Sequence, residues 1–87
     1  HNYYFIVVFS MDEQILCKFG LHIKALRKNK NLSQEQLASL SELDRTYISG
    51  IERGKRNVSL LNIIKISEAL DLRASVLMEF SWVENDE

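Results

Sequence analysis

Leu32–Gly54 reads LSQEQLASLSELDRTYISGIERG, and its pattern of capping and apolar residues predicts two short helices joined by a tight turn. Ser33 is placed to cap the first helix. Its hydroxyl can accept from the free N–H groups of the first turn, and Gln36 can reach back to close a capping box. Leu32 before the cap and Leu37 inside the helix can form a hydrophobic staple that sets the entry angle. Leu37, Ala38 and Leu40 supply an apolar face. The second helix starts at Asp44, another capping residue, and stops at Gly54, where a residue without Cβ accepts left-handed geometry. At about 100° per residue, Ile48 and Ile51 share one face, with Leu43 anchoring the entry, while Thr46, Ser49, Gly50 and Arg53 point away.

Arg45 and Tyr47 flank the start of this second helix. A cation in the first turn opposes the helix dipole at a cost of about 0.3–1 kcal/mol, so local stability does not explain Arg45. At the leading end of a helix in the major groove, a guanidinium can make two parallel bonds to guanine O6 and N7 or clamp a phosphate.

The segment Ser33–Gly54, with RKNKNLSQEQLA before it and IERGKRN after, resembles the lambda-repressor/Cro-type (xenobiotic response element) helix-turn-helix family over Phe19–Leu77. The string DRTYISGIERGKRN is similar to that of the controller proteins of restriction-modification systems. The resemblance implies an all-α, five-helix lambda-repressor-like domain acting as a transcriptional regulator. Two copies related by a two-fold axis would enter successive major grooves of a near-palindromic DNA operator, about 34 Å apart. It also implies a pair between Arg27 and Glu52 linking the first helix to the recognition helix, and a Gln34 that contacts DNA and braces that helix. Lys55, Arg56 and Asn57 lie where the family has a backbone-contacting loop, although as bare residues they fit a solvated loop equally well. With Arg45, Thr46, Tyr47, Ser49 and Arg53, these complete the residues assigned to DNA. RNA polymerase is a further candidate partner.

The chain has 87 residues, no proline and one cysteine. That is a single small domain, able to bury only about 60–65% of its unfolded surface, and a partner subunit would help it. Cys17 alone cannot form an internal disulfide, and neither a secretory leader nor a span of about 20 apolar residues is evident, which points to a cytoplasmic protein without membrane contact. The net charge of −1 hides an asymmetry: Lys18 to Arg56 carries nine Lys/Arg against four Asp/Glu, and the two ends carry two against eight. Such a basic middle fits phosphate attraction, although a solvated face gives the same pattern.

Residues 1–11 are read as an N-terminal extension, 12–83 as the domain and 84–87 as an acidic tail. HNYYFIVVF at the start has strong β propensity. Either Met11 is the natural start, or the preceding run, strand or disordered, is an arm that pairs with its twin. Ile15, Leu16, Phe19, Ile23 and Leu26 recur at helical spacing over about 12–29, with Asp12 and Glu13 suiting the N-terminus and Lys28 and Lys30 the other end. Gly20 costs about 1 kcal/mol inside that helix unless close packing requires it. Glu42 departs from relatives that place glycine or asparagine in the turn, and left-handed geometry there carries strain of order 1 kcal/mol.

Ser59 caps a helix from Leu60 to about Leu70, whose apolar residues exceed one stripe and predict burial on several sides. A last short helix is predicted over 74–80. Val76, Leu77, Met78, Phe80 and Trp82 form an apolar cluster assigned to a homodimer interface, the alternative being packing onto the protomer's own core. In the controllers the chain resembles, the C-terminal helices form that contact.

No enzyme chemistry stands out. Cys17 and His22 are roughly 140° apart around a helix, so they form no local nucleophile–base pair, and neither a phosphate loop nor metal-ligand spacing is present. No cofactor, metal or catalytic residue is assigned. The rival readings are an antitoxin, a phage-type repressor, or a protein-binding adaptor on the same fold.

Overall fold

The computed structural model describes residues 10–81, which form five helices and no strand. They are α1 (Met11–Asn29), α2 (Gln34–Ser41), α3 (Arg45–Glu52), α4 (Leu60–Ala69) and α5 (Ala74–Leu77). The all-α, five-helix expectation holds. The proposed arm, Trp82 and the acidic tail lie outside the described residues.

Serine caps three of these helices. Ser33 Oγ accepts from Gln36 N–H at 3.0 Å while Gln36 Oε1 accepts from Ser33 N–H at 2.8 Å, the expected capping box. Ser10 and Glu13 make a second box at 3.1 and 2.9 Å. Ser10 caps α1 and Met11 is its first residue, one ahead of the start expected near residue 12. Ser59 Oγ accepts from Asn62 N–H at 3.2 Å at the start of α4.

The helix ends share a second device. After α1, α2 and α4 the chain passes through Asn31, Glu42 and Asp71 at φ of 60°, 60° and 57°, and after α3 through Gly54 at 75°. At each of these ends two N–H groups fold back onto the last free carbonyls: Asn31 to Lys28 and Leu32 to Arg27, for example, at 2.9 and 3.2 Å. The strain expected at Glu42 is thus real geometry. The residue following each non-glycine turn is a leucine, Leu32, Leu43 or Leu72, and all three pack half-buried against the core. That apolar contact is what offsets left-handed strain of about 1–3 kcal/mol.

The helices close a ring around the core. α3 packs on α1 and α2, α4 on α2 and α5, and α5 returns to α1. Phe19, Ile23, Leu37, Ala38, Ile48, Ile51, Ile66, Leu70 and Leu77 fill the centre. Gly20 is needed where α1 crosses α3: a Cβ there would collide with the Ile51 carbonyl oxygen and come within 2.9 Å of that of Glu52. Rigid backbone cannot move aside, so the helix tolerates its glycine. Gly54 similarly lies against Cys17, whose Sγ would be 2.7 Å from an added Cβ.

Leu40 and α4 depart from the burial expected of them. Leu40 is 58% exposed, because α2 turns Leu37, Ala38 and Ser41 inward instead. Ser41 can occupy an interior site because its hydroxyl donates to the Leu37 carbonyl at 2.7 Å. α4 is not buried on several sides either. Ile66 and Leu70 are inside, but Leu60 and Leu61 are 72% and 73% exposed and Ile64 is also open, since α2 and α5 cover only part of the helix.

Candidate nucleic-acid interface

α3 is seated by Ile48 and Ile51, which are essentially inaccessible, and its C-terminal end is fastened by Lys55 N–H to the Gly50 carbonyl at 2.8 Å and Gly54 N–H to that of Ile51 at 2.9 Å. At about 100° per residue, Arg45, Ser49, Arg53 and Thr46 then fall within an arc of roughly 100° opposite the buried isoleucines. Arg45, Thr46 and Arg53 are exposed and Ser49 is half-buried. Asp44 holds the N-cap position, yet its side chain makes no capping bond. Its backbone carbonyl accepts from Tyr47 and Ile48 N–H instead, both at 3.0 Å.

Behind this surface runs a polar chain through three helices. Arg27 Nε and Nη2 grip the Glu52 carboxylate at 2.6 and 3.0 Å, and Arg27 Nη1 donates to the Leu32 carbonyl at 2.8 Å. Both side chains are buried, at 8% and 3% exposure. The hydrogen bond to Glu52 holds the guanidinium above its ordinary pKa, against the opposing effect of burial. Gln34 Nε2 donates to Glu52 Oε1 at 3.0 Å, and Gln34 Oε1 accepts from Arg45 Nη1 at 3.4 Å. The bracing role expected of Gln34 and the Arg27–Glu52 pair therefore lie in one network, with exposed Arg45 at its outer end. Such bidentate geometry fixes orientation as well as distance.

The loop after α3 folds back over it. Lys55, Arg56 and Asn57 are exposed, and the Arg56 guanidinium lies 5.7 Å from the Tyr47 ring centroid. Arg56 also covers Gly50, where an added Cβ would sit 3.1 Å from its Cγ and Nε. Gly50 was expected to face outward. It lies about 40° beyond the outward arc, next to Thr46, and is buried because the arginine side chain covers it. Arg53 Nε donates to Ser49 Oγ at 3.3 Å, one helical turn back. Thr46, Tyr47 and Arg56 line an open cleft of about 550 Å³ together with Asn62. Sequence reasoning missed Asn62, whose Nδ2 donates to the Tyr47 hydroxyl at 3.0 Å from α4. The available sign was an asparagine three residues after a serine cap, where a longer Glu or Gln would close a box.

Of the cluster predicted for the dimer interface, Leu77 and Phe80 pack within the protomer. Leu77 is fully buried within the protomer, so it cannot meet a second copy. Phe80 is half-buried, with its ring 5.7 Å from Phe19 and 5.8 Å from His22, and the Val76 carbonyl accepts from His22 Nε2 at 2.8 Å. Closing α5 onto α1 uses these side chains. Met78 remains exposed at 40%. Among the described residues no three His, Cys, Asp or Glu gather as a metal site, and no helix is long and apolar enough to cross a membrane.

These features, two capped helices at a tight turn with the second presenting polar residues and braced from behind, define a helix-turn-helix protein. The chain belongs to the helix-turn-helix family, whose model matches residues 23–77. Its relatives include curated control proteins and a phage immunity repressor, and its structural neighbours include restriction-modification controller proteins. It is 49% identical over 78 residues to the control protein C.BamHI of Bacillus amyloliquefaciens, covering 88% of this chain and 96% of that one. The crystal structure of the controller protein C.AhdI from Aeromonas hydrophila superposes with a TM-score of 0.70 at 56% identity, over 71% of this chain and 94% of that one. The controller protein C.Esp1396I, crystallised as a tetramer with its natural 35 base-pair operator, gives a TM-score of 0.69 at 43% identity over 75% and 86%.

Proposed function

We propose that this chain is a restriction-modification controller: a homodimeric regulator that binds a near-palindromic operator by inserting α3 into the major groove. The observation that carries this reading is the pairing of exposed Arg45 and Thr46 with fully buried Ile48 and Ile51 on an eight-residue helix. A helix so held offers its leading polar residues to base edges without exposing its apolar side. The basic stretch Lys18–Arg56 supplies attraction to phosphate, and Lys55, Arg56 and Asn57 at the end of α3 suit backbone contact. C.Esp1396I, at 43% identity, provides the analogy for operator binding by several copies.

The second copy docks on the uncovered side of α4. Leu60, Leu61 and Ile64 are exposed within its first two turns, and neighbouring exposed apolar residues of this kind suit a contact with a second copy. A two-fold axis through such a patch would make it self-complementary.

Titration of the duplex immediately upstream of the chain's own gene against a random duplex, in the same salt, tests the proposal. Preference for the upstream duplex by about a thousandfold or more is expected, with an even number of protomers bound. Leu61→Lys should shift the free protein to monomer while leaving protomer stability within about 0.5 kcal/mol. Equal affinity for the two duplexes would reject the proposed function, and an unshifted dimer would move the interface elsewhere.

A further inference from the structure

Tyr47 is held from two sides, by Arg56 over its ring and by Asn62 at its hydroxyl. The second contact sets a direction. A phenolic hydroxyl has one proton to donate and lone pairs with which to accept. Asn62 Nδ2–H already donates to that oxygen at 3.0 Å, which leaves the O–H proton for a partner on the open side of the cleft.

Asn62 is also used differently from its counterparts. Glu13 and Gln36, each three residues after a serine cap, turn back to accept from the N–H of the capping residue. Asn62 occupies the same position after Ser59, and its backbone N–H is capped in the same way. Its side chain, however, reaches across to α3.

We propose that Asn62 is a positioning residue for DNA recognition, fixing the Tyr47 hydroxyl as a hydrogen-bond donor toward an acceptor on the operator. The inference rests on the DNA-reading role proposed for α3. Suitable acceptors are the base edges guanine O6 and N7, adenine N7 and thymine O4 in the major groove, where cytosine presents only a donor. The pair therefore contributes selectivity as well as contact.

A double-mutant cycle decides it. The unmodified chain, Tyr47→Phe, Asn62→Ala and the double variant are each titrated with the upstream duplex and with a random duplex of equal length, and each is melted. Asn62→Ala is expected to weaken upstream binding about three- to tenfold per protomer, the worth of one polar contact, and to leave the melting temperature and random-duplex binding unchanged. In the Tyr47→Phe background it should add nothing. A purely structural asparagine would cost the same in both backgrounds, and that result, or no loss in the unmodified background, would overturn the proposal. Should Asn62→Ala fail to fold, Asn62→Asp serves: its carboxylate would accept the phenolic proton, and its cost must shrink in the Tyr47→Phe background or the proposal fails. If the unmodified chain does not distinguish the two duplexes, the DNA-reading role falls and takes Asn62 with it. Retained discrimination with an additive cycle removes only Asn62.

Discussion

Arg27→Ala is expected to destabilise the protein by about 3–5 kcal/mol, because it strands the Glu52 carboxylate in a buried site. Arg27 contributes two bonds to that carboxylate and a third to the Leu32 carbonyl, so its removal unties α1 from both α3 and the loop before α2. A domain of this length has a total stability of roughly 4–13 kcal/mol, so the loss removes from about a quarter to all of it and leaves the variant largely unfolded where the total is near the lower figure. Urea denaturation of the two proteins measures the difference. The double variant Arg27→Met with Glu52→Leu should recover much of the loss, since the cost of a broken buried pair is mainly that of the charge left behind. A loss under about 1 kcal/mol for Arg27→Ala would mean that water reaches Glu52 and that the pair is no better than a surface bridge. The pH dependence has a definite sign. A guanidinium whose folded pKa is raised above its ordinary value contributes stability that is fully present below the ordinary value and is lost only as pH rises through the raised one. Arg27's share is therefore constant through the neutral and alkaline range.

Arg45→Ala is expected to weaken binding to the upstream duplex by about 1–3 kcal/mol per half-site, and hence by roughly twice that for a dimer on both. Arg45 is exposed and its contact to Gln34 is long, at 3.4 Å, so folding does not depend on it. Losing a cation from the first turn of α3 relieves an unfavourable interaction with the helix dipole, and the melting temperature should hold or rise slightly. Affinity for random duplex should fall much less, because base-edge contacts are absent there. Equal loss on both duplexes would make Arg45 a phosphate clamp and leave sequence reading to Thr46 and Tyr47.

The parts of the molecule legible in its sequence were those decided within four or five residues. Ser33 with Gln36, the left-handed turn at Glu42 and the stop at Gly54 each depend on one local bonding pattern, and each is present in the structure. Ser10 with Glu13 carried the same signature and was overlooked in favour of Met11 as a boundary. The Arg27–Glu52 pair, 25 residues apart, was reachable only through family resemblance. What was not legible depends on which side of a helix its neighbours cover. Leu77 and Leu61 are the same residue type on adjoining apolar helices, yet one is wholly buried and the other 73% exposed. Nothing local distinguishes them. The Arg56 side chain over Gly50 and the Asn62 bond to Tyr47 arise in the same way, from the packing of α4 and the preceding loop beside α3.

The most direct test of α3 as the reading element is proximity cleavage. A DNA-cleaving iron chelate is attached at Thr46→Cys in a Cys17→Ser background and bound to the upstream duplex. Cleavage is predicted in two clusters related by a two-fold axis and separated by about one helical turn, roughly 34 Å, each within a major groove. Tight binding without cleavage near either half-site would place α3 away from the duplex and contradict the proposed mode of recognition.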